Sequence, residues 1–301
     1  MFLFDSRSHT YDLGNILRRN HPLAQGLQWF GVALPGLMGG STFHNLLDMA
    51  QTPPRGRHGV LVNMFPAFST TRSGWAAVSQ AFSFSQGGSS TTLPPVPMMS
   101  GMLQLNDATA YVNILDTPSL QLVNVFTVAF WFMRRATDGV IISKLSNGVN
   151  SSGAQLRGIR VQVDTLYVTE QAGNPLSVSL VSSLNKWVHV TVVSRADGSQ
   201  LYINGALVAS GAQLTQWFSN TGPLRLGASE ATFWFLTAAG TAFQGALNGV
   251  MLYNRALEAA TVRDLYLESF GYPTLLRRLL VGEGASSTGI PRGLFDAGIM
   301  R

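Results

Sequence analysis

Cysteine is absent from the 301 residues, which excludes disulfides, thiol catalysis, iron–sulfur clusters and thiolate-bound zinc. Charge is scarce. Asp, Glu, Lys and Arg make up 12% of the chain, about half the usual share. With 46% hydrophobic residues, that scarcity excludes disorder, which needs high charge and little apolar content. Lysine occurs only as Lys144 and Lys186, neither after a glycine, so a Walker-type phosphate loop is impossible. The net charge of +5 is carried by 18 arginines spread thinly along the chain. No segment forms a basic stripe, so the electrostatic footprint of a nucleic-acid binder is missing. Long hydrophobic runs are missing too. The most apolar window, 122–133, contains Asn124 and Thr127 and is too short to span a bilayer. The first residues lack the basic and apolar regions of a secretory signal. The chain is therefore expected to stay in the cytoplasm where it is made, or to leave by lysis, without a membrane partner.

What is present is glycine, proline and alternation. The 31 Gly and 13 Pro rule out a coiled coil. Residues 1–20 read as a polar arm. Residues 66–100 are rich in Ser, Thr, Gly and Pro and read as a long surface excursion rather than a second domain. From about residue 103 apolar residues recur with period two. Ile159, Val161 and Val163 alternate with Arg160 and Gln162. Leu176, Val178 and Leu180 alternate with serines, and Val188, Val190 and Val192 with His189 and Thr191. Each predicts a half-buried strand. Asn204-Gly205 between Leu201-Tyr202-Ile203 and Ala206-Leu207-Val208 predicts a hairpin with a type I′ turn. Two helices are expected to close the chain, over 257–268 and 273–280. The first places Leu257, Val262, Leu265 and Tyr266 near one stripe, and 271–301 form a tail.

The segment 101–267 resembles the laminin-G-like, concanavalin A-like jelly-roll family. Met102-Leu103-Gln104-Leu105-Asn106 and Ala110-Tyr111-Val112-Asn113-Ile114 are similar to its opening strand pair. Phe126-Thr127-Val128-Ala129-Phe130-Trp131 and Ile141-Ile142-Ser143-Lys144 follow in the family's order. So do Trp187-Val188-His189-Val190, Leu201-Tyr202-Ile203-Asn204-Gly205, the closing strand 243–250 and Tyr253-Asn254-Arg255-Ala256-Leu257. The region from His21-Pro22-Leu23 to Arg57-His58-Gly59 resembles the head of this family in tailed-phage and environmental proteins. The resemblance implies an all-β jelly-roll sandwich over 21–270, with an N-terminal arm and short C-terminal helices. Where the family often has an acidic pair after the closing Gly-x-Leu, this chain has Asn248-Gly249. Calcium needs six to eight oxygens, usually including several carboxylates, so the calcium-dependent sugar site of some relatives is not expected.

No catalytic constellation stands out. The Glu-x-Asp-x-x-Glu strand of the glucanase relatives is absent. Gly227-Ala228-Ser229-Glu230-Ala231 lacks the second glycine of a nucleophile elbow. His44, Asp48 and His58 are more simply read as packing and turn residues than as metal ligands, and His189 as a structural histidine. No cofactor, metal or catalytic residue is expected. Trp131 and Trp187 lie in strands and belong to the core. Trp217-Phe218 and Phe233-Trp234-Phe235 fall between strands, where aromatics stack on sugars or dock on proteins. The apolar residues Phe2, Phe4, Leu275 and Leu276, with Arg277 and Arg278, mark the arm and tail as assembly segments. The leading expectation is a non-enzymatic virion protein of a tailed phage. It would decorate or cement the capsid through contacts with capsid or other virion proteins, as a homo-oligomer for which a trimer is the guess. The alternative is a lectin-like module that attaches its bearer to a surface glycan. Exposure of Trp217 and Trp234 separates the two.

Overall fold

The computed structural model describes residues 25–31, 41–43, 45, 58–68, 74–77, 83–86, 89–92, 101–106, 109–144, 157–170, 173–215, 217–228 and 242–270. In chain order the strands begin with β1 (Leu27–Gly31), β2 (Thr42–Phe43), β3 (Gly59–Val62), β4 (Phe65–Phe68) and β5 (Gly74–Ala77). Next come β6 (Ser83–Gln86), β7 (Ser89–Thr92), β8 (Gly101–Leu105), β9 (Tyr111–Ile114), β10 (Phe126–Arg134) and β11 (Gly139–Lys144). Then follow β12 (Gly158–Gln162), β13 (Thr165–Glu170), β14 (Gly173–Ser179), β15 (Trp187–Arg195) and β16 (Gly198–Ile203). The chain continues through β17 (Ala206–Gly211), β18 (Leu224–Leu226), β19 (Gly245–Tyr253) and the helix α1 (Ala259–Phe270).

Two sheets carry the fold. The larger runs β17-β16-β15-β10-β19-β8-β5-β4, with β1 also on β19. The smaller runs β14-β13-β12-β11-β18-β9-β3-β2. All described strand pairs but the parallel β4–β5 pair are antiparallel, and one isolated bridge, Val140 to Ala242, is also parallel. Between the sheets lies one core. Leu103, Leu105, Phe126, Val128, Phe130 and Phe132 of the larger sheet belong to the same apolar cluster as Val112, Ile114, Ile159, Val161, Leu166 and Val168 of the smaller. This is the expected jelly-roll sandwich.

Some local expectations need correcting. The two opening strands do not pair with each other. β8 lies in the larger sheet beside β19 and β5, while β9 lies in the smaller between β18 and β3. Period two states which residues face inward, and both strands obey it, but it does not state which sheet a strand joins. Residues 66–100 are not all surface, because β5 pairs with β8 and Trp75 is buried in the core. Val163 does not continue the alternation of β12. It sits with Asp164 in a two-residue turn where both have positive φ (45° and 58°), and Val163 is 75% exposed. Its N–H donates to Asp138 Oδ1 at 2.7 Å, which fixes the turn. The Asn204-Gly205 turn has φ of 50° and 75°, the signs type I′ requires.

β10 and β19 are buried along their whole length. The outer face of the larger sheet is covered in part by α1, whose Val262 and Leu265 are buried and whose Tyr266 ring stacks on Trp131. Thr127 anchors the approach to the helix: its hydroxyl donates to Arg255 O and accepts from the Leu257 N–H. Leu257 and Glu258 thus form the entry, and the helix starts at Ala259 rather than at 257. Asn248-Gly249 has a structural reason. The β10–β19 register shifts there, Gly249 has φ 58°, and Asn248 Oδ1 accepts the Gly249 N–H. That is a β-bulge built around a glycine, in a conformation costly for any side chain. No helix among the described residues is long and apolar enough to cross a membrane.

Candidate functional site

Trp217 and Phe218 are not surface residues. Both are fully buried in the chain's own core, with Trp217 stacked on Phe126 (5.2 Å) and on Phe218 (4.4 Å). The connection before β18 folds inward because its polar groups find partners there. Trp217 Nε1 donates to Thr169 O at 2.9 Å, and the Phe218 N–H to Leu122 O at 3.2 Å. Neither ring can stack on a sugar or dock on another chain. Phe233, Trp234 and Phe235 lie outside the described residues, as do Phe2, Phe4, Leu275, Leu276, Arg277 and Arg278. His44, Asp48 and Ser229 lie outside them too, and His58 Nδ1 accepts the Asn45 N–H at 3.0 Å. Among the described residues no group of three or more His, Asp or Glu could hold a metal ion.

The carboxylates that form ion pairs among the described residues serve the fold. Arg134, 1% exposed at the end of β10, ties three loops together. It donates to the Asp164 carboxylate, to Ser183 Oγ (2.9 Å), to Leu180 O (2.5 Å) and to Ala136 O (3.4 Å). Lys144, fully buried, pairs with Asp116 Oδ1 at 2.7 Å and donates to Asn220 O. Burial pulls the Lys144 ammonium below its usual range, and Asp116 opposes that shift. Arg195 holds Glu258 at 2.9 Å and so ties β15 to the start of α1. These are partnered acids in structural positions, unlike the pair flanking a scissile glycosidic bond.

What remains is a sheet face. The outer side of the smaller sheet is where alternation sends the residues between its core positions. Leu166 and Val168 point inward, so Tyr167 points out, as do Arg160 on β12 and Ser177 on β14. Tyr167 pairs with Arg160 on one side and with Ser177 on the other. The Arg160 guanidinium lies 4.7 Å over the Tyr167 ring. Ser177 is small and exposed, and β14 is the edge of the sheet. One face of the half-buried ring is therefore covered by the Arg160 guanidinium, itself 5% exposed, and on the other side stand the exposed Ser177 and Ser179 of the edge strand, with Thr165 alongside. Farther across the sheet, Arg225 lies 4.6 Å over Tyr111, next to Asn113.

The profile of the laminin G type described as the concanavalin A-like lectin/glucanases superfamily matches residues 106–263, more than half of the chain. The chain belongs to this family. Laminin G membership agrees with the two antiparallel sheets and with the order of the sequence motifs. Among solved structures, Trypanosoma rangeli sialidase in complex with sialic acid is similar at 14% identity and a TM-score of 0.51, over 85% of this chain and 36% of that one. A mutant of the same sialidase displaying trans-sialidase activity gives 14%, 0.51, 81% and 33%. The binding domain of Paraclostridial Mosquitocidal Protein 1 gives 18%, 0.41, 56% and 43%. The laminin G chain thus spans about a third of the sialidase chains and less than half of the toxin binding domain. At these identities the likeness concerns the fold. A search of curated proteins finds no match.

Sequence reasoning missed Tyr167 and Tyr111, which read as the non-core members of two alternating strands. A signal for Tyr167 existed. Once Val163-Asp164 is recognised as a two-residue hairpin loop, the register puts Arg160 opposite Tyr167 without any structure. Nothing in the sequence places Arg225 beside Tyr111, because the two are 114 positions apart.

Proposed function

We propose that this laminin G domain is a non-catalytic glycan-binding module, and that the slot between Tyr167 and Ser177 is where the sugar sits. The observation that carries the reading is the Arg160–Tyr167–Ser177 row. A sugar ring offers an apolar C–H face and a rim of hydroxyls. A tyrosine held upright by a guanidinium on its far side meets the C–H face, and the serine and threonine hydroxyls meet the rim. The larger sheet offers no such place where it carries α1. The test is calorimetry on glycans selected by an array. Tyr167→Ala is expected to weaken binding by about tenfold or more, equivalent to ~1.4 kcal/mol. The variant should stay folded, with a melting temperature lower by a few degrees at most, since the ring is half-buried with the Arg160 guanidinium packed on it. Unchanged affinity in a folded variant would move the site elsewhere.

A second reading, a structural subunit of a tailed-phage particle, draws on a different feature. Val163 (75% exposed), Val181 (71%) and Leu184 (43%) sit on the loops that Arg134 ties together. Asp164 O accepts the Leu180 N–H at 2.7 Å, so these loops adjoin. A β-branched residue held at positive φ and left in water gains nothing for the fold, which favours contact with another protein. Asp tolerates that backbone better than Val. Val163→Asp should therefore fold, keep any glycan affinity, and fail to co-sediment with the particle. Normal co-sedimentation would remove this reading.

A further inference from the structure

Tyr111 repeats the arrangement of Tyr167 at the far side of the same sheet face. Val112 and Ile114 enter the core, so Tyr111 and Asn113 point out with Tyr167 and Ser177. Arg225 of β18 covers one side of the Tyr111 ring. On the other side lies β3, pairing Val62 with Tyr111 and Val60 with Asn113, and Val60 is 52% exposed. The second slot is thus an aromatic face beside two small aliphatic side chains and the Asn113 amide, whose Oδ1 is buried.

The two slots are separate. In the order β13-β12-β11-β18-β9, four strand intervals lie between Tyr167 and Tyr111. At the usual inter-strand spacing that is about 19 Å. The face between them is filled rather than grooved. Ser143 on β11 is buried and donates to Ala228 O at 2.8 Å, so the backbone at Ala228 meets the outer side of β11.

We infer that a single extended glycan chain engages both slots at once, so that this face selects polysaccharide over short oligosaccharides. The inference rests on the reading of the Tyr167 slot as a sugar site. Each slot alone offers one ring face and a few polar groups, which makes for weak binding. Once one slot is filled, the second contact is intramolecular, and linkage of this kind raises affinity by ~10²–10⁴ with no new contact when the connection can span the sites. A chain shorter than about 19 Å gains none of this.

The experiment is calorimetry of the full chain against a ladder of one glycan, from disaccharide to decasaccharide. Neutral and acidic ladders are both used, and Tyr167→Ala, Tyr111→Ala and the double variant are compared with the parent. The parent's affinity is expected to rise about 100-fold once the chain bridges both slots. Either single variant should then hold the decasaccharide no better than the parent holds a disaccharide, and the double variant should not bind. Affinity that is flat along the ladder, or long-chain binding unaffected by Tyr111→Ala, overturns the two-slot inference and leaves the Tyr167 site standing. Absence of binding by the parent to every ladder overturns the glycan reading, and this inference with it.

Discussion

Replacing Arg134 with Ala is expected to destabilise the protein by about 3 kcal/mol, near the lower end of the cost of breaking a buried ion pair. The guanidinium is 1% exposed and donates to four acceptors on three loops. Its removal leaves Leu180 O and Ser183 Oγ with one donor fewer in a site that water does not reach. Asp164 moderates the loss, because its side chain is 31% exposed and regains water when the cation goes. Asp164→Asn should therefore cost less, about 1 kcal/mol. Arg134→Lys keeps the charge but not the planar fork and should fall between the two. Urea midpoints with unchanged slope are the readout. A loss for Arg134→Ala no larger than that for Asp164→Asn would mean that the three loops are held by their apolar contacts instead.

The second large effect is a loss of stability in acid. His189 is fully buried on β15, between Trp131 (5.1 Å) and Tyr266 (6.0 Å), and burial lowers its pKa from 6.5 to about 3. Its Nδ1 has no hydrogen-bond partner, so the folded site does nothing to welcome a second proton. Between about pH 6.5 and about pH 3 the unfolded chain binds that proton and the folded chain does not. Stability from this group is complete above the upper value and falls with pH below it, by at most ~1.4 kcal/mol per pH unit. His189→Leu removes the titrating group. Its urea midpoint should change less than the parent's between pH 7 and pH 4. If parent and variant lose stability in parallel, the acid sensitivity lies in another group.

The sandwich was legible in the sequence wherever apolar and polar residues alternate along a strand. Val188, Val190 and Val192 alternate cleanly, and so do Leu224 and Leu226 around Arg225; all five apolar residues lie in the core. Asn204-Gly205 announced its hairpin by turn chemistry alone. Legibility stopped where burial stopped discriminating. His189 and Thr191 occupy the polar register of β15 and are nevertheless buried, on the face where α1 packs. Trp217 misled for the same reason. A position between strands says nothing about depth, and its indole N–H found a backbone carbonyl inside. Of the candidate site, the Arg160–Tyr167 half could be reached from hairpin register, whereas the Arg225–Tyr111 half depends on which strands become neighbours.

The unequal covering of the two sheets bears on how such a chain can diverge. Substitutions in β10 or β19 disturb packing on whichever side they fall, since both strands are buried throughout. At the exposed Ser177 and Ser179 of β14 a new side chain meets water and its cross-strand neighbours, and most surface changes of that kind shift stability by half a kcal/mol or less, roughly. Drift in recognition is thereby channelled onto one broad side of the molecule. Two descendants of this sequence can come to bind unlike ligands while the strands beneath α1 remain nearly unchanged.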